Sequence, residues 1–401
     1  MTPQDTGIGD RVKSARKRSG LTQRELATAS GLSKSLIGKL EQGEYGDMRL
    51  ETARKIAAAL HVETSAILAH HDSPETAPAD TVESWEAVRR AAVGDHGPDI
   101  PDGEPTIASV RSALDTAVAD VVGNRYADLR VILPPLLRDA DDIVAAEVNG
   151  AATAARSVRS EVRQLAGFML GQVRLFDAAE TTMRLAADDA SEPLTAMAAA
   201  DWRSWILIRQ GRLEDALALA SRWAEESEPR IARATPEQFA AWGRLQLRIT
   251  AAAIRGNRPD EAREALRLAR IAASGAGHDF IPAFNRWQVF GPATVSMFAA
   301  QNALIEENAD PALKVGARLE GRLFPLPETW NRFRLDVAQA HVLKRQYGEA
   351  VGVLADVRRA APEWLAQQRY ALDIMARVVH RRRTLTDEMR ELADVVGLPL
   401  S

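Results

Sequence analysis

The sequence predicts an all-α chain in two unequal parts, and three observations carry that prediction. Apolar residues recur at helical spacing in segment after segment, while strand-like alternation is almost absent. Helix start and stop signals separate the segments: Thr22-x-x-Glu25 before one apolar run, Gly31 before the next, Thr386 near the end. From residue 174 onward one frame returns five times, anchored at Ala179, Ala216, Ala262, Ala312 and Ala350, at intervals of 37, 46, 50 and 38 residues.

A chain of 401 residues, 46% hydrophobic and 26% charged, has ordinary globular composition and is long enough for two or more domains. With no cysteine, disulfides and thiolate metal sites are excluded, and a reducing cytoplasm is the expected location. The opening residues lack the apolar core of a signal peptide. The uncharged run Trp287–Ile305 is interrupted by Gln288, Pro292, Thr294, Ser296, Gln301 and Asn302, so it reads as a buried helix and its approach rather than a membrane span. Residues 1–69 carry 11 Lys/Arg against 8 Asp/Glu, and the remainder 40 against 47. A basic head on an acidic body suits a nucleic-acid-binding module attached to a part with other work.

The head is read as five short helices. Ile8, Val12 and Ala15 space the first. Thr22 and Glu25 form a capping box for the second, where Leu26 and Ala27 turn inward. Gly31 supplies a left-handed turn and Ser33 caps the third helix. There Leu36, Ile37 and Leu40 face the core and Lys34, Ser35, Gly38 and Lys39 face out. Leu50–Leu60 gives a fourth helix and Ser65–Leu68 a short fifth.

With those residues in view, positions 8–69 resemble the XRE or phage-repressor family of helix-turn-helix DNA-binding domains. Thr22, Gln23, Leu26, Ala27, Gly31, Leu32, Ser33, Ile37, Leu40, Glu41 and Gly43 carry the match. The resemblance implies double-stranded DNA as partner, with Lys34, Ser35 and Lys39 reading bases and Gln23 touching the backbone. Arg16, Lys17 and Arg24 are further phosphate candidates. Lysine at position 34, where many relatives have glutamine, favours guanine O6 and N7 over adenine.

Residues 70–105 read as a linker with one short helix, Val82–Val93, between the breaks His70–Asp80 and Gly94–Pro105. His70-His71-Asp72 has no second cluster nearby and reads as an unstructured tract rather than a metal site. No metal or other cofactor is expected. Residues 106–401 read as stacked helical hairpins, and the repeat resembles tetratricopeptide repeats, most clearly over Arg345–Pro362 with Tyr347, Ala350 and Pro362. The resemblance implies a right-handed solenoid whose first helices line a concave groove. Trp202, Trp205, Trp242, Arg244, Arg248, Asn285, Arg286, Trp287, Asn302, Asn331 and Arg334 lie on or near those helices as candidates for ligand contact, and the effector candidates chosen from them are Trp242, Arg248, Asn302, Asn331 and Arg334. The closing segments Trp364–Arg383 and Thr386–Val396 read as a last helix pair, with His380–Arg383 a solvated, dipole-favoured helix end rather than a second DNA contact.

A head and body of these kinds resemble the peptide-sensing regulators of Gram-positive bacteria, in which asparagines clamp the peptide. That resemblance singles out Asn302 and Asn331, and it implies a homodimer and a peptide or metabolite effector. No HExxH, GxGxxG after a strand, or GxxxxGK[ST] is present, so an enzyme is not expected. Two readings follow. In one the chain is a sequence-specific transcription regulator whose body dimerises and senses a small effector. In the other it is an adaptor whose solenoid holds a partner protein, as an antitoxin holds a toxin, with autoregulatory DNA binding.

Overall fold

The computed structural model describes residues 8–44, 50–62, 67, 79–96, 105–146, 152–230, 232–382 and 384–400. Those residues are all-α, with one isolated antiparallel bridge between Phe280 and Phe290. Among them no helix is long and apolar enough to cross a membrane.

Four helices build the head: α1 (Ile8–Arg18), α2 (Gln23–Ser30), α3 (Lys34–Glu41) and α4 (Leu50–Leu60). Val12, Leu26, Ile37, Leu40, Ile56 and Leu60 meet in one core. Ile67 joins them, but the rest of the expected fifth helix lies outside the described residues, as do residues 70–78 and the triplet His70-His71-Asp72. The closest helix approach falls at Gly9. A β-carbon there would sit 1.9 Å from the Leu40 carbonyl oxygen, so α1 crosses α3 almost backbone to backbone.

The helix α5 (Ala79–Ala92) is not a spacer. Trp85, Val88, Ala91 and Ala92 enter the main core of the body, and Arg89 pairs with Asp177 at 2.9 Å. By packing, α5 lies with the core of the body although it falls within residues 70–105.

Six hairpins follow. Their first helices are α6 (Ile107–Val122), α8 (Ala152–Gln172), α10 (Pro193–Arg209), α12 (Pro236–Arg255), α14 (Pro292–Ile305) and α16 (Pro327–Leu343). Their second helices are α7 (Tyr126–Ala145), α9 (Phe176–Asp189), α11 (Leu213–Glu226), α13 (Pro259–Ala276), α15 (Asp310–Leu319) and α17 (Tyr347–Ala360). Each first helix also packs on the next first helix, which gives one continuous inner layer. The anchoring alanines Ala179, Ala216, Ala262, Ala312 and Ala350 are all buried where the two helices of a hairpin meet. Four of the first helices begin at a proline, whose fixed φ and missing N–H suit the first helical position.

One turn closes all six hairpins. Asn124, Arg174, Gly211, Asn257, Glu307 and Arg345 each take a positive φ between 55° and 73°. The next residue's N–H then reaches back five positions, as Leu175 does to Leu170 at 2.9 Å. The hairpin α6–α7 escaped the sequence frame because Leu129 stands where the other five have alanine.

The interval of 50 residues has a physical cause. Between α13 and α14 the chain inserts residues 277–291, clamped at its base by the Phe280–Phe290 bridge (3.0 and 3.1 Å). Asp279 caps α14, accepting from Ala293 N and Thr294 N at 3.0 Å each. Phe290 is fully buried over Gly243, where a β-carbon would meet its ring at 2.1 Å. From that base the loop crosses the concave face, and Arg286 reaches Asp115 on α6 at 2.5 Å. The chain closes with α18 (Pro362–Ala366), α19 (Arg369–His380) and α20 (Asp387–Val395), with Thr386 capping the last helix. The expected Trp364–Arg383 helix is thus two helices, and Arg383 lies outside the described residues.

Truncating Phe290 removes both a large core side chain and the seat of the insertion. Phe290→Ala is expected to destabilise the body by about 3–5 kcal/mol, read from its urea unfolding midpoint.

Candidate DNA interface and effector cavity

The geometry of the head is set by caps. Thr22 accepts from Glu25 N at 3.2 Å while the Glu25 carboxylate accepts from Thr22 N at 2.7 Å, completing the expected capping box. Gly31 holds φ at 67°, and Ser33 accepts from Leu36 N at 3.1 Å. These fix α3 against α2 and leave Lys34, Ser35 and Lys39 exposed along one side of α3. Lys39 also lies 3.6 Å from the exposed Glu44, a weak surface pair. Lys17 and Arg24 are exposed too.

Two of the expected contact residues are turned inward. Arg16 grips Glu41 with Nε at 2.6 Å and Nη2 at 2.9 Å, and donates to the Leu21 carbonyl at 2.7 Å. Its guanidinium joins α1 to α3 and is not presented to a phosphate. Gln23 donates to the same Glu41 carboxylate at 2.9 Å, and its amide oxygen lies over Gly38, 4.0 Å from where a β-carbon would stand. Gly38 is therefore partly covered rather than part of an open face.

Burial pushes the Glu41 carboxyl up, but hydrogen bonds from Arg16 and Gln23, with the charges of Arg16 and Lys13, leave it below the ordinary carboxylate value. The hydrogen bond to Glu41 raises Arg16 in turn. A carboxyl depressed in the folded state stabilises the fold fully above its unfolded value, about pH 4.3, and the stabilisation fades as pH falls through the lowered folded value.

In the body the inner layer and the insertion enclose a cavity of about 500 Å³. Phe168 and Gln172 come from α8, Trp202, Trp205 and Arg209 from α10, and Arg244 and Arg248 from α12. Trp287 and Gln288 come from the insertion, Glu328, Arg332 and Asp336 from α16, and Tyr370 from α19. Phe168 packs on Trp202 with ring centroids 4.5 Å apart, and Trp202 meets Trp205 edge-on at 5.6 Å. Asp201, 1% exposed, sits behind this wall. It accepts from Arg248 Nε at 2.7 Å and Gln288 Nε2 at 2.8 Å, with Arg244 at 3.6 Å. Burial pushes Asp201 up, and the charges of Arg248 and Arg244 with these hydrogen bonds bring it below the ordinary value.

Arg209 has no carboxylate partner among the described residues. It stacks 4.8 Å over Trp205 and 5.6 Å over Phe176, and donates to the Gly171 carbonyl at 2.9 Å. Burial, then repulsion from Arg174 and Arg332, pushes it down to about 9. Burial also raises the Glu328 and Asp336 carboxyls, against the hydrogen bonds they accept from Gln172 and Gln301.

Of the five effector candidates only Arg248 lines this cavity. Trp242 is buried, donates its indole N–H to the Ala224 carbonyl at 3.1 Å, and borders a separate smaller cleft with Ser221 and Glu225. Asn302 is buried and donates to Thr250 Oγ1 at 2.7 Å, tying α14 to α12. Asn331 is buried away from the cavity, and Arg334 pairs with Asp356 at 2.8 Å. The cavity residues not chosen had a signal: Trp202, Trp205 and Arg209 fall at i, i+3 and i+7, one face of one helix.

Residues 12–67 match the family model described as Helix-turn-helix, so the head is a helix-turn-helix domain. Over 56 residues the chain is 38% identical to the HTH-type transcriptional regulator SlrR of Bacillus subtilis (strain 168). The match spans 14% of this chain and 37% of that protein. Over 78% of its length the chain is also similar to the crystal structure of Bacillus thuringiensis PlcR in complex with a peptide and DNA. There the identity is 12% and the TM-score 0.36, with 95% of that chain covered.

Glu41→Gln leaves the Arg16 cation without its anion. It is expected to cost on the order of 1–3 kcal/mol of head stability at neutral pH and to flatten the loss seen below about pH 4. Thermal unfolding of parent and variant across an acid pH series checks both.

Proposed function

We propose that the chain is a sequence-specific transcription regulator: α3 enters the major groove, and the body dimerises and changes DNA affinity when the cavity is filled. The observation that carries the reading is the exposed row of Lys34, Ser35 and Lys39 on a helix held by two caps and the Arg16–Glu41–Gln23 network. A reading helix gains specificity when its backbone cannot rock, and this network locks α3 to α1 and α2 through side chains that face away from DNA. A 56-residue match to a protein named as an HTH-type transcriptional regulator supports the same reading.

In this reading Lys34 takes a guanine edge, Ser35 and Lys39 supply neighbouring contacts, and Arg24 and Lys17 meet phosphates. The amide nitrogen of Gln23, the group a phosphate would need, already donates to Glu41, so its part is chiefly to position α3. A dimer would address two half-sites roughly 34 Å apart, one turn of the duplex. The cavity supplies the sensing half, being large enough for a small ligand (about 300–1,000 Å³ is usual) and walled by helices from five hairpins and the insertion.

Lys34→Ala is expected to weaken binding to the chain's own upstream DNA by about 1–3 kcal/mol and to relax the preference for guanine at one position. Lys17→Ala should weaken all sequences alike and lower the salt slope by about one. Gel-shift titrations over several salt concentrations check both. Equal affinity of parent and Lys34→Ala for every sequence would sink the base-reading assignment.

A further inference from the structure

The cavity wall carries far more positive charge than its structural pairings consume. Seven arginines line it against three carboxylates, and Asp201 behind the wall brings the acids to four. Asp201 is spent on Arg248 and Gln288, whose donors reach it at 2.7 and 2.8 Å, and Arg244 is left at 3.6 Å. Arg332 stands 3.6 Å from Asp336 and stacks over Tyr370 at 5.0 Å. Arg209 is held by aromatic faces and amide oxygens. Among the described residues, three guanidinium groups thus border one enclosed space with no carboxylate oxygen at hydrogen-bond distance.

A second observation points the same way. Among the described residues, Trp202 Nε1, Trp287 Nε1, Arg244 Nε and Arg332 Nη1 are buried polar atoms of the wall that lack a hydrogen-bond partner. Trp202, Trp287 and Arg244 are 5%, 4% and 6% exposed. Every one of these atoms is a donor, so a matching ligand brings acceptors. Trp202 and Trp205, packed edge to face, and Trp287 near them offer apolar surface for the rest of such a molecule.

We propose that the cavity binds a small organic anion, its carboxylate or phosphate held by Arg209, Arg244 and Arg332 and its aromatic or apolar body lying on Trp202, Trp205 and Trp287. The assignment rests on the reading of the body as the sensing part and names the class of effector. Binding brings negative charge among mutually repelling arginines in a site shielded from water, where one close charge pair is worth more than at a surface.

Isothermal titration calorimetry on the full chain tests it with three probes of one shape: 1-naphthaleneacetate, 1-naphthyl phosphate and the neutral 1-naphthaleneacetamide. Both anions are expected to bind roughly tenfold or more tightly than the amide. Whichever anion binds tighter assigns the headgroup. Arg332→Gln and Arg209→Gln should each erase most of that preference, with circular dichroism checking the fold. The comparison of acid with amide needs no variant. Equal binding of acid and amide, an anion affinity untouched in both variants, or no saturable heat from any probe overturns the proposal. A parallel gel shift separates the two levels. Anion binding that leaves DNA affinity unchanged refutes sensing but keeps the site, whereas DNA binding with no anion binding refutes the anion alone.

Discussion

The body depends on one carboxylate. Asp201 sits on α10 with almost no exposure and holds Arg248 of α12 and Gln288 of the insertion. An ionised group so deep is tolerable only when its lone pairs are filled by well-placed donors, and here Arg248 and Gln288, from two other elements, supply them. Removing any donor leaves a buried charge short of partners, so the network sets the register of α10 on α12 and pulls the insertion down across both. Without the insertion, which Phe290 seats and Gln288 ties to Asp201, the inner layer would be an open groove, as in an undecorated solenoid.

How much of this was legible in the sequence differs sharply between head and body. The head was read almost residue by residue, because caps and left-handed turns are local chemistry: Thr22, Glu25, Gly31 and Ser33 do what their types do anywhere. What it concealed was long-range. Glu41 collects Arg16 from 25 positions away and Gln23 from 18, and no local rule tells an arginine facing DNA from one facing a buried carboxylate. Gly9 was hidden for the same reason, since its small size matters only to the Leu40 carbonyl.

In the body the alanine frame revealed five hairpins because it marks a steric contact that repeats. The sixth carries Leu129 at that position, yet its turn at Asn124 has the same left-handed residue as the rest. The turn is the more general signature: closure needs a positive φ there, while the alanine can be exchanged if the two helices stand slightly apart. The effector residues went astray by a different route. Trp242, Asn302 and Asn331 are on first helices, but a buried polar residue on such a helix can face the neighbouring hairpin as readily as the groove. Asn302 does, reaching Thr250. Only the stripe at i, i+3 and i+7 on α10 distinguishes the two directions, because a face of a helix is what a groove touches.

The placement of α5 bears on how head and cavity communicate. Its core residues pack on α7 and α8, and α8 carries Phe168 and Gln172 into the cavity wall at its far end. On the insertion, Arg286 reaches α6 and comes within 3.7 Å of Glu161 on α8, so one loop touches both the ligand space and the first two hairpins. In the proposed reading a ligand that neutralises Arg209 and Arg332 changes the forces on α10 and α16, and the insertion touches α10 through Gln288. If filling the cavity changes DNA affinity as proposed, reciprocity requires that bound DNA change the affinity of the cavity by the same factor. Because α5 is built into the body's core, a shift of α8 carries α5 with it, and α5 is the last described helix before the chain runs back to the head. Contiguity of this kind is a route and not yet a coupling. The insertion joins these parts: hydrogen bonds of the Phe280–Phe290 bridge and the buried Phe290 hold its base, Gln288 ties it to Asp201, and Arg286 pairs with Asp115 on α6.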